Sequence, residues 1–250
     1  MRRRMMSRMR LPTPAPPADI GVLDGLSYTL WLPDREPEGG LLVLHGAGSR
    51  KENHHDMARA ARGAGLAAVC FDMRGHGASE GALGASALDD VIAMASLLPR
   101  PLALRGSSMG GYMAICAADL AGASAVVAVC PAAAEHLQSG LRSGSFDFRA
   151  DAPSLEALLA AHDPADVVSR SRIPLMLQHA EGDERIPWRH SQDLHDRSAA
   201  SLKRLIVLPG GHHRSVQHDA EMQAEAIRFV GRAFREGGRP PTRPSPLPDR

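Results

Sequence analysis

Residues 106–110, Gly-Ser-Ser-Met-Gly, say more about the fold than any other stretch of this chain. They follow a short apolar run at 101–104 and precede small and apolar residues at 111–118. This order predicts a strand, a sharp turn and a helix, with Ser108 at the apex of the turn. Small residues are needed two positions before and after the serine, because the strand and the helix approach each other closely there. The pattern G-x-S-x-G in this setting predicts a nucleophilic serine.

Bulk composition limits the classes of protein that this chain can represent. A length of 250 residues with 44% hydrophobic content suits a single α/β domain with a sizeable core. The net charge of +1 points to neither nucleic acid nor a membrane surface as a partner. No apolar run approaches the ~18–20 residues that span a bilayer. We therefore expect a cytoplasmic protein with no nucleic-acid partner and no stable membrane insertion.

The cysteines and the two ends of the chain carry further expectations. Three cysteines, an odd number in apolar segments, predict buried thiols instead of disulfides or a metal site. Residues 1–19 are basic and then Pro-rich, without the apolar core of a secretory signal. Residues 237–250 are rich in Pro and Arg. Both ends are predicted to be disordered tails, which leaves 20–236 as the folded domain.

Between these tails, apolar runs alternate with helical patterns. The predicted strands are 40–45, 66–71, 101–105, 125–130, 174–179 and 203–208, and the predicted helices are 54–65, 86–98, 111–118 and 215–235. Continuous apolar strands separated by helices predict a mostly parallel, doubly wound sheet that is buried on both faces. Residues 20–33 predict an antiparallel edge strand or hairpin. Residues 132–172 break the alternation with a Ser/Gly-rich patch at 139–145 and a helix at 154–162, and we interpret them as a small cap insertion.

In such a sheet, ligands bind beyond the carboxyl ends of the strands, where the candidate catalytic residues occur. A serine hydroxyl is a poor nucleophile until a histidine takes its proton and a carboxylate orients that histidine. Ser108, Asp183 and His213 follow three of the predicted strands in the order expected for a triad on a doubly wound sheet. The backbone N–H groups of Met109 and Ala47 are predicted to form the oxyanion hole.

Several of these loops together resemble those of the α/β-hydrolase superfamily, of the serine esterase or acyl-hydrolase type. The motifs are the elbow at 106–110, His45-Gly46, the D-x-R-G-x-G-x-S turn at 72–79, Gly182-Asp183 with Ile186-Pro187, and Pro209-Gly210-Gly211 before a histidine. The resemblance covers nearly all of residues 20–235. It implies an α/β-hydrolase fold with a small cap and a Ser-His-Asp triad.

The acid and the base each have alternatives in the sequence. The other candidates for the acid are Glu181, Glu184 and Glu135. Asp183 is favoured because it follows a glycine at the apex of its loop. For the base, the resemblance places the histidine four residues after the proline that opens the loop, and counting from Pro209 indicates His213. The adjacent His212 stays open as the alternative base.

The resulting expectation is a serine hydrolase that cleaves an ester or thioester of a small to medium acyl group through an acyl-enzyme. Its partner would be a small-molecule acyl substrate, and the chemistry requires neither a metal nor an organic cofactor. A serine peptidase, an acyltransferase or a perhydrolase would use the same triad, and a non-catalytic ligand-binding member is the alternative of another class. The oligomeric state is left open by the sequence.

Overall fold

A computed structural model describes residues 16–237 of the chain. The predicted tails lie outside these residues, except that the first strand begins at Asp19 and the last helix ends at Gly237. Within the described part, the strands are β1 (Asp19–Leu23), β2 (Leu26–Trp31), β3 (Gly40–Leu44), β4 (Ala67–Phe71), β5 (Leu102–Ser107), β6 (Ala125–Val129), β7 (Leu175–Ala180) and β8 (Lys203–Leu208).

These strands form a single sheet in the order β1-β2-β4-β3-β5-β6-β7-β8. The β1–β2 hairpin is antiparallel, as expected for residues 20–33, and β2 pairs antiparallel with β4. The remaining pairs, from β4–β3 through β3–β5, β5–β6 and β6–β7 to β7–β8, are all parallel. The mostly parallel sheet of an α/β-hydrolase fold is thereby confirmed.

Eight helices of the described part connect and flank the strands. They are α1 (His55–Gly63), α2 (Ala87–Ala95), α3 (Met109–Ala117), α4 (Ala134–Arg142), α5 (Ala152–Ala161), α6 (Pro164–Arg170), α7 (Trp188–Arg197) and α8 (Ala220–Gly237). None of them combines the length and the hydrophobicity needed to cross a bilayer.

Both faces of the sheet are covered, which explains the continuous apolar strands. Along β3, Leu42 and Leu44 pack into the cluster that includes α2 and α3 side chains. The alternate residues Leu41 and Val43 pack against α1 and α8 on the other face. Since neighbouring side chains of a strand point to opposite faces, a doubly covered strand must be apolar at every position.

The helices differ from the sequence expectation in four places. The helices α4, α6 and α7 were not predicted, and α8 begins at Ala220 instead of at residue 215. Asp219 explains this start, since its carboxylate accepts the Met222 N–H at 2.9 Å and caps the helix. The α4 helix continues into the Ser/Gly-rich patch because Gly140, which lacks a side chain, leaves room for the ring of Phe146.

Candidate active site

The elbow between β5 and α3 holds Ser108 in a strained conformation. Its backbone has φ 53° and ψ −118°, a region that side chains rarely adopt. The N–H of Ser108 donates to the Val129 carbonyl at 2.9 Å, and its carbonyl accepts from Ala132 at 3.1 Å. A Cβ atom on Gly106 would overlap the backbone of Gly110, so only glycine permits this strand-to-helix approach. The elbow is therefore set by backbone packing, and it leaves the Ser108 side chain half-buried at the carboxyl edge of the sheet.

The loop after β3, residues 45–49, lies directly against the elbow. A Cβ atom on Gly46 would be 3.3 Å from the Ser108 Cβ. The buried His45 ring donates from Nδ1 to the Gly46 carbonyl at 2.8 Å and accepts the Met73 N–H at Nε2, at 2.9 Å. Because the C=O and N–H of one trans peptide point in opposite directions, the bond to Gly46 turns the Ala47 N–H away from His45.

The two expected oxyanion donors have free N–H groups. Neither the Ala47 nor the Met109 N–H donates to an acceptor within residues 16–237. For Met109 this follows from its place as the first residue of α3, where the N–H has no partner inside the helix. The arrangement suits an anion close to Ser108.

Burial lowers the pKa of His45 to about 4, with the ring of His76 also opposing its protonation. A neutral His45 matches the hydrogen bonds above, since its Nε2 must be unprotonated to accept from Met73. The neutral ring thus links the loop after β3 to the loop after β4.

The turn at 72–79 is a buried polar structure that supports this edge of the sheet. Asp72 is fully buried and accepts bonds from the Lys51 backbone N–H at 2.7 Å, the Lys51 Nζ at 2.8 Å and the Ala78 N–H at 2.9 Å. Burial opposes ionisation of Asp72, but these donors outweigh it and lower its pKa. Arg74 forms an ion pair with Asp90 at 3.0 Å, which braces the turn against α2. These residues act as supports of the site.

The acid and the base come together where β7 and β8 end. The His213 Nδ1 lies 2.7 Å from the Asp183 Oδ2. The two loops are joined by their backbones as well, since the Gly182 N–H donates to the Gly210 carbonyl at 2.9 Å. The neighbouring His212 is exposed and accepts the Arg214 N–H at its own Nδ1. The contact between these two loops therefore brings His213, and not His212, to Asp183.

Asp183 accepts hydrogen bonds from four N–H groups although its side chain has no exposed surface. Its Oδ1 accepts from the backbone of Arg185 and Ile186, each at 2.9 Å. Its Oδ2 faces His213 and, at 3.1 Å, the Nε2 of the buried His179. Burial opposes the charge on Asp183, but the bonds from His179, His213 and the backbone outweigh it and hold its pKa well below the ordinary value. Asp183 is thus a carboxylate at neutral pH.

The other acids considered from the sequence differ from Asp183 in position or in contacts. Glu181 and Glu184 are exposed, and Glu184 accepts the backbone N–H of His213 at 3.0 Å. Glu135 lies in the first turn of α4. Of the acids considered from the sequence, Asp183 is the one whose carboxylate contacts the imidazole of His213.

All three cysteines are buried free thiols, as expected. The structure nevertheless brings Cys130 to the site, which its spacing in the sequence does not indicate: its Sγ and ligand atoms of Asp183 and His213 lie within 4.8 Å of one another. Burial raises the pKa of the Cys130 thiol, which disfavours the thiolate that binds metal ions. The imidazole of His213 is also already engaged with Asp183. We interpret Cys130 as packing behind the acid–base pair.

A cavity of about 870 Å³ opens above the elbow. Ser108 and His213 both line it, together with the loop that carries Ala47. The far wall is formed by residues that follow β6, among them Leu137 and Phe146 and the hydroxyl groups of Ser139, Ser143 and Ser145. The cavity is large enough for a small or medium organic molecule and is only partly apolar.

His179 is the residue of this site that the sequence reasoning missed. It lies in β7, four residues before Asp183, inside a run that was interpreted only as buried strand. A histidine in an otherwise apolar strand, close to a loop acid, is the signal that could have found it.

Comparisons with known proteins agree with this fold. The family described as serine aminopeptidase, S33, matches residues 35–148, just under half of the chain. An uncharacterised protein of Escherichia coli O157:H7, YfhR, is 31% identical over 176 residues. That alignment covers 64% of this chain and 58% of the relative, so the chain matches less than two thirds of the relative's length.

Solved structures resemble nearly the whole described part. The alpha/beta hydrolase domain-containing protein 10 from mouse superposes with a TM-score of 0.68 at 20% identity, covering 88% of this chain and 100% of that protein. Est1E from Butyrivibrio proteoclasticus, solved with ferulic acid bound, superposes with a TM-score of 0.66 at 19% identity, covering 88% and 98%. At these identities the likeness concerns the fold alone.

Proposed function

We propose that this chain is a serine hydrolase of the α/β-hydrolase superfamily that cleaves an ester or thioester of a small to medium acyl group, and the family match and the shared fold support this. The observation that carries the proposal is the 2.7 Å contact between His213 and Asp183 beside a cavity that Ser108 also lines. A buried carboxylate against Nδ1 keeps the proton on that nitrogen, which leaves Nε2 free to act as a base.

In the proposed reaction, the Ser108 hydroxyl attacks the carbonyl carbon while His213 takes its proton. The carbonyl oxygen becomes an oxyanion, and the N–H groups of Ala47 and Met109 stabilise it by about 3 kcal/mol each. The intermediate collapses when His213 gives the proton to the leaving alcohol or thiol. Water then attacks the acyl-enzyme by the same steps, and Ser108 is regenerated.

Mutation of the nucleophile tests this proposal directly. We expect Ser108→Ala to lose hydrolysis of 4-nitrophenyl butyrate and labelling by a fluorophosphonate, with unchanged circular dichroism and melting temperature. The Ser107→Ala variant is the matched control and should still be labelled. A folded wild-type protein that neither labels nor turns over any ester would instead favour a non-catalytic ligand-binding protein.

The name of the matching family makes a serine aminopeptidase the second candidate. An aminopeptidase binds a substrate with a free ammonium group, which a carboxylate near the nucleophile would stabilise. Of the described residues that line the cavity, none is Asp or Glu. We therefore favour ester or thioester hydrolysis. Faster turnover of an aminoacyl 4-nitroanilide than of 4-nitrophenyl butyrate would reverse this order.

A further inference from the structure

Positive and neutral side chains line the cavity above Ser108. Arg185 and Arg214 belong to its wall, whereas no acidic side chain of residues 16–237 does. Nearby carboxylates are engaged elsewhere: Asp56 binds His218 at 2.9 Å, and Glu184 accepts the His213 N–H at 3.0 Å. The described residues that line the cavity therefore include two arginines and no acid, although the chain as a whole is almost neutral.

The two arginines are placed by the same loops that carry the acid and the base. Arg214 directly follows His213, and Arg185 is two residues after Asp183. Arg185 has a distant partner in Glu184 at 3.8 Å, whereas Arg214 forms no ion pair within the described residues. Ser107 also belongs to the cavity wall, and its buried hydroxyl has no hydrogen-bond partner among the described residues. The cavity thus offers, in Arg214, a cation without an ion-pair partner among the described residues.

We propose that the substrate carries an oxyanionic group, a carboxylate or a phosphate, in addition to the scissile ester, and that Arg214 binds this group with Arg185 as a second cation. This inference rests on the proposed function, because it concerns the same site. A guanidinium matches either oxyanion through paired N–H donors, and its charge would select against the neutral analogue.

A matched pair of esters tests the proposal. Mono-4-nitrophenyl adipate ends in a carboxylate, and its methyl ester has the same chain without the charge. We expect the wild-type kcat/KM to be about tenfold higher for the charged ester. Arg214→Gln should remove this preference by lowering kcat/KM for the charged ester about tenfold more than for its methyl ester. Arg170→Gln, which removes one exposed charge outside the cavity, is the control and should keep the preference.

Inhibition of methyl-ester hydrolysis then separates the two oxyanions. Adipate and inorganic phosphate are added in turn, and the anion that competes at the lower concentration identifies the group. Equal kcat/KM for the two esters, or a preference that Arg214→Gln does not change, overturns the proposal while leaving the hydrolase assignment intact. If neither ester is cleaved and Ser108 is not labelled, the proposed function itself has failed.

The environment of His179 carries a second inference from a different observation, and it too rests on the proposed function. Its ring is fully buried between Asp183 and α7, with Nε2 at 3.1 Å from the Asp183 Oδ2 and at 3.0 Å from the Ile186 carbonyl. Both of these atoms only accept, so Nε2 carries the proton. Its Nδ1 lies 2.7 Å from the Ser191 hydroxyl, which therefore donates to it. Ser191 thus sets the tautomer in which His179 donates to Asp183.

We infer that His179 is a positioning residue, which acts on His213 through their shared contact with Asp183. The hydrogen bond from His179 uses a lone pair of the Asp183 Oδ2. It therefore reduces how strongly that oxygen stabilises a protonated His213. The other titratable or charged groups around the pair are Cys130 and Glu184, the adjacent Arg185 and Arg214, and His190 on α7.

The pH profile of kcat/KM distinguishes this role from simple packing. His179→Leu removes one N–H donor from the Asp183 carboxylate, which then stabilises the protonated His213 more strongly. The acid limb of the kcat/KM profile therefore moves to higher pH, and kcat falls about tenfold. His179→Gln supplies an N–H donor and should restore the wild-type limb. Ser191→Ala, which does not touch Asp183, should shift the limb in the same direction as His179→Leu. Lower melting temperatures with unchanged acid limbs in all three variants would overturn the inference.

Discussion

The elbow at Ser108 and the Asp183–His213 pair belong to one site, but different forces hold them in place. The elbow depends on backbone atoms in close contact, and glycines at 106 and 110 make that contact possible. The pair depends on side-chain hydrogen bonds between two loops that are 30 residues apart in the chain. We therefore expect changes in the elbow glycines to reduce stability and changes in the pair to reduce activity with little loss of fold.

The largest expected effect is a loss of activity on removal of the base from the Asp183–His213 pair. His213→Ala should lower kcat for ester hydrolysis by about 10⁵–10⁶-fold, because Ser108 then lacks a base. His212→Ala should retain most of the activity, since that exposed ring does not contact Asp183. The measurement is the kcat of both variants on 4-nitrophenyl butyrate. If His212→Ala is the inactive variant, the assignment of the base from the geometry is wrong.

Loss of the charge on Asp183 is the next largest effect. Asp183→Asn should lower kcat by about 10⁴-fold, because the amide no longer stabilises the imidazolium and can favour the wrong tautomer of His213. Glu184→Gln is the matched control on the same loop and should lose little, since its side chain contacts the backbone of His213 and Arg185 but not the imidazole of His213. Steady-state kinetics and thermal melts of both variants check the prediction. Unfolding of Asp183→Asn at room temperature would contradict the separation of activity from stability.

A glycine substitution tests whether backbone packing holds the elbow in place. Gly106→Ala should lower the free energy of unfolding by more than about 3 kcal/mol, because its Cβ would overlap the backbone of Gly110. Gly63→Ala is the control: it is exposed near the end of α1, where a Cβ would meet nothing within 4 Å, and it should stabilise the helix by up to about 1 kcal/mol. Urea titrations give both values. Equal stability of the two variants would show that backbone packing does not set the elbow.

The smallest expected effect concerns the loop that joins the elbow to the rest of the site. Burial lowers the pKa of His45 to about 4, below the ordinary value of 6.5. As the pH falls from 6.5 towards 4, the unfolded chain binds a proton at this position and the folded protein does not. Stability should therefore decrease over this range, with His45 contributing up to about 3 kcal/mol of the loss.

Urea unfolding as a function of pH measures this contribution. His45→Gln removes the titrating group, so part of the slope between pH 6.5 and 4 should disappear. His54 is also buried with a lowered pKa and should account for a remaining slope of the same sign. A wild-type slope that His45→Gln leaves unchanged would contradict the assignment of a neutral, buried His45.

Elements whose pattern is local could be predicted from the sequence. The strands from β3 to β8 are largely apolar runs, and they were predicted within two residues at each end. The helix α7 was missed because its buried residues are few, Ser191 and Leu194, so no apolar stripe marks it. The helix α4 was missed because a glycine such as Gly140 is typical of a helix break. Only the structure shows that the ring of Phe146 lies beside it.

The features of the candidate site also divide into those that the sequence predicts and those that it does not. The serine, the chain order of the three candidate residues and the glycine-rich loops are visible in the sequence, because each depends on local turn chemistry and on its place after a strand. The choice between two adjacent histidines is not visible, because it depends on how two loops close over each other. The contact between His179 and Asp183 is hidden for the same reason, since a strand residue gives no sign of which loop atom it faces.

By itself, the sequence determined the sheet, the elbow at Ser108 and the edge at which the site lies, since these follow from hydrophobic periodicity and from the conformational freedom of glycine. Only the tertiary structure decided that His213 meets Asp183, that His179 donates to the same carboxylate, and that two arginines line the cavity without an acid beside them. Those features join side chains that are distant in the chain, and their geometry exists only after the loops have packed.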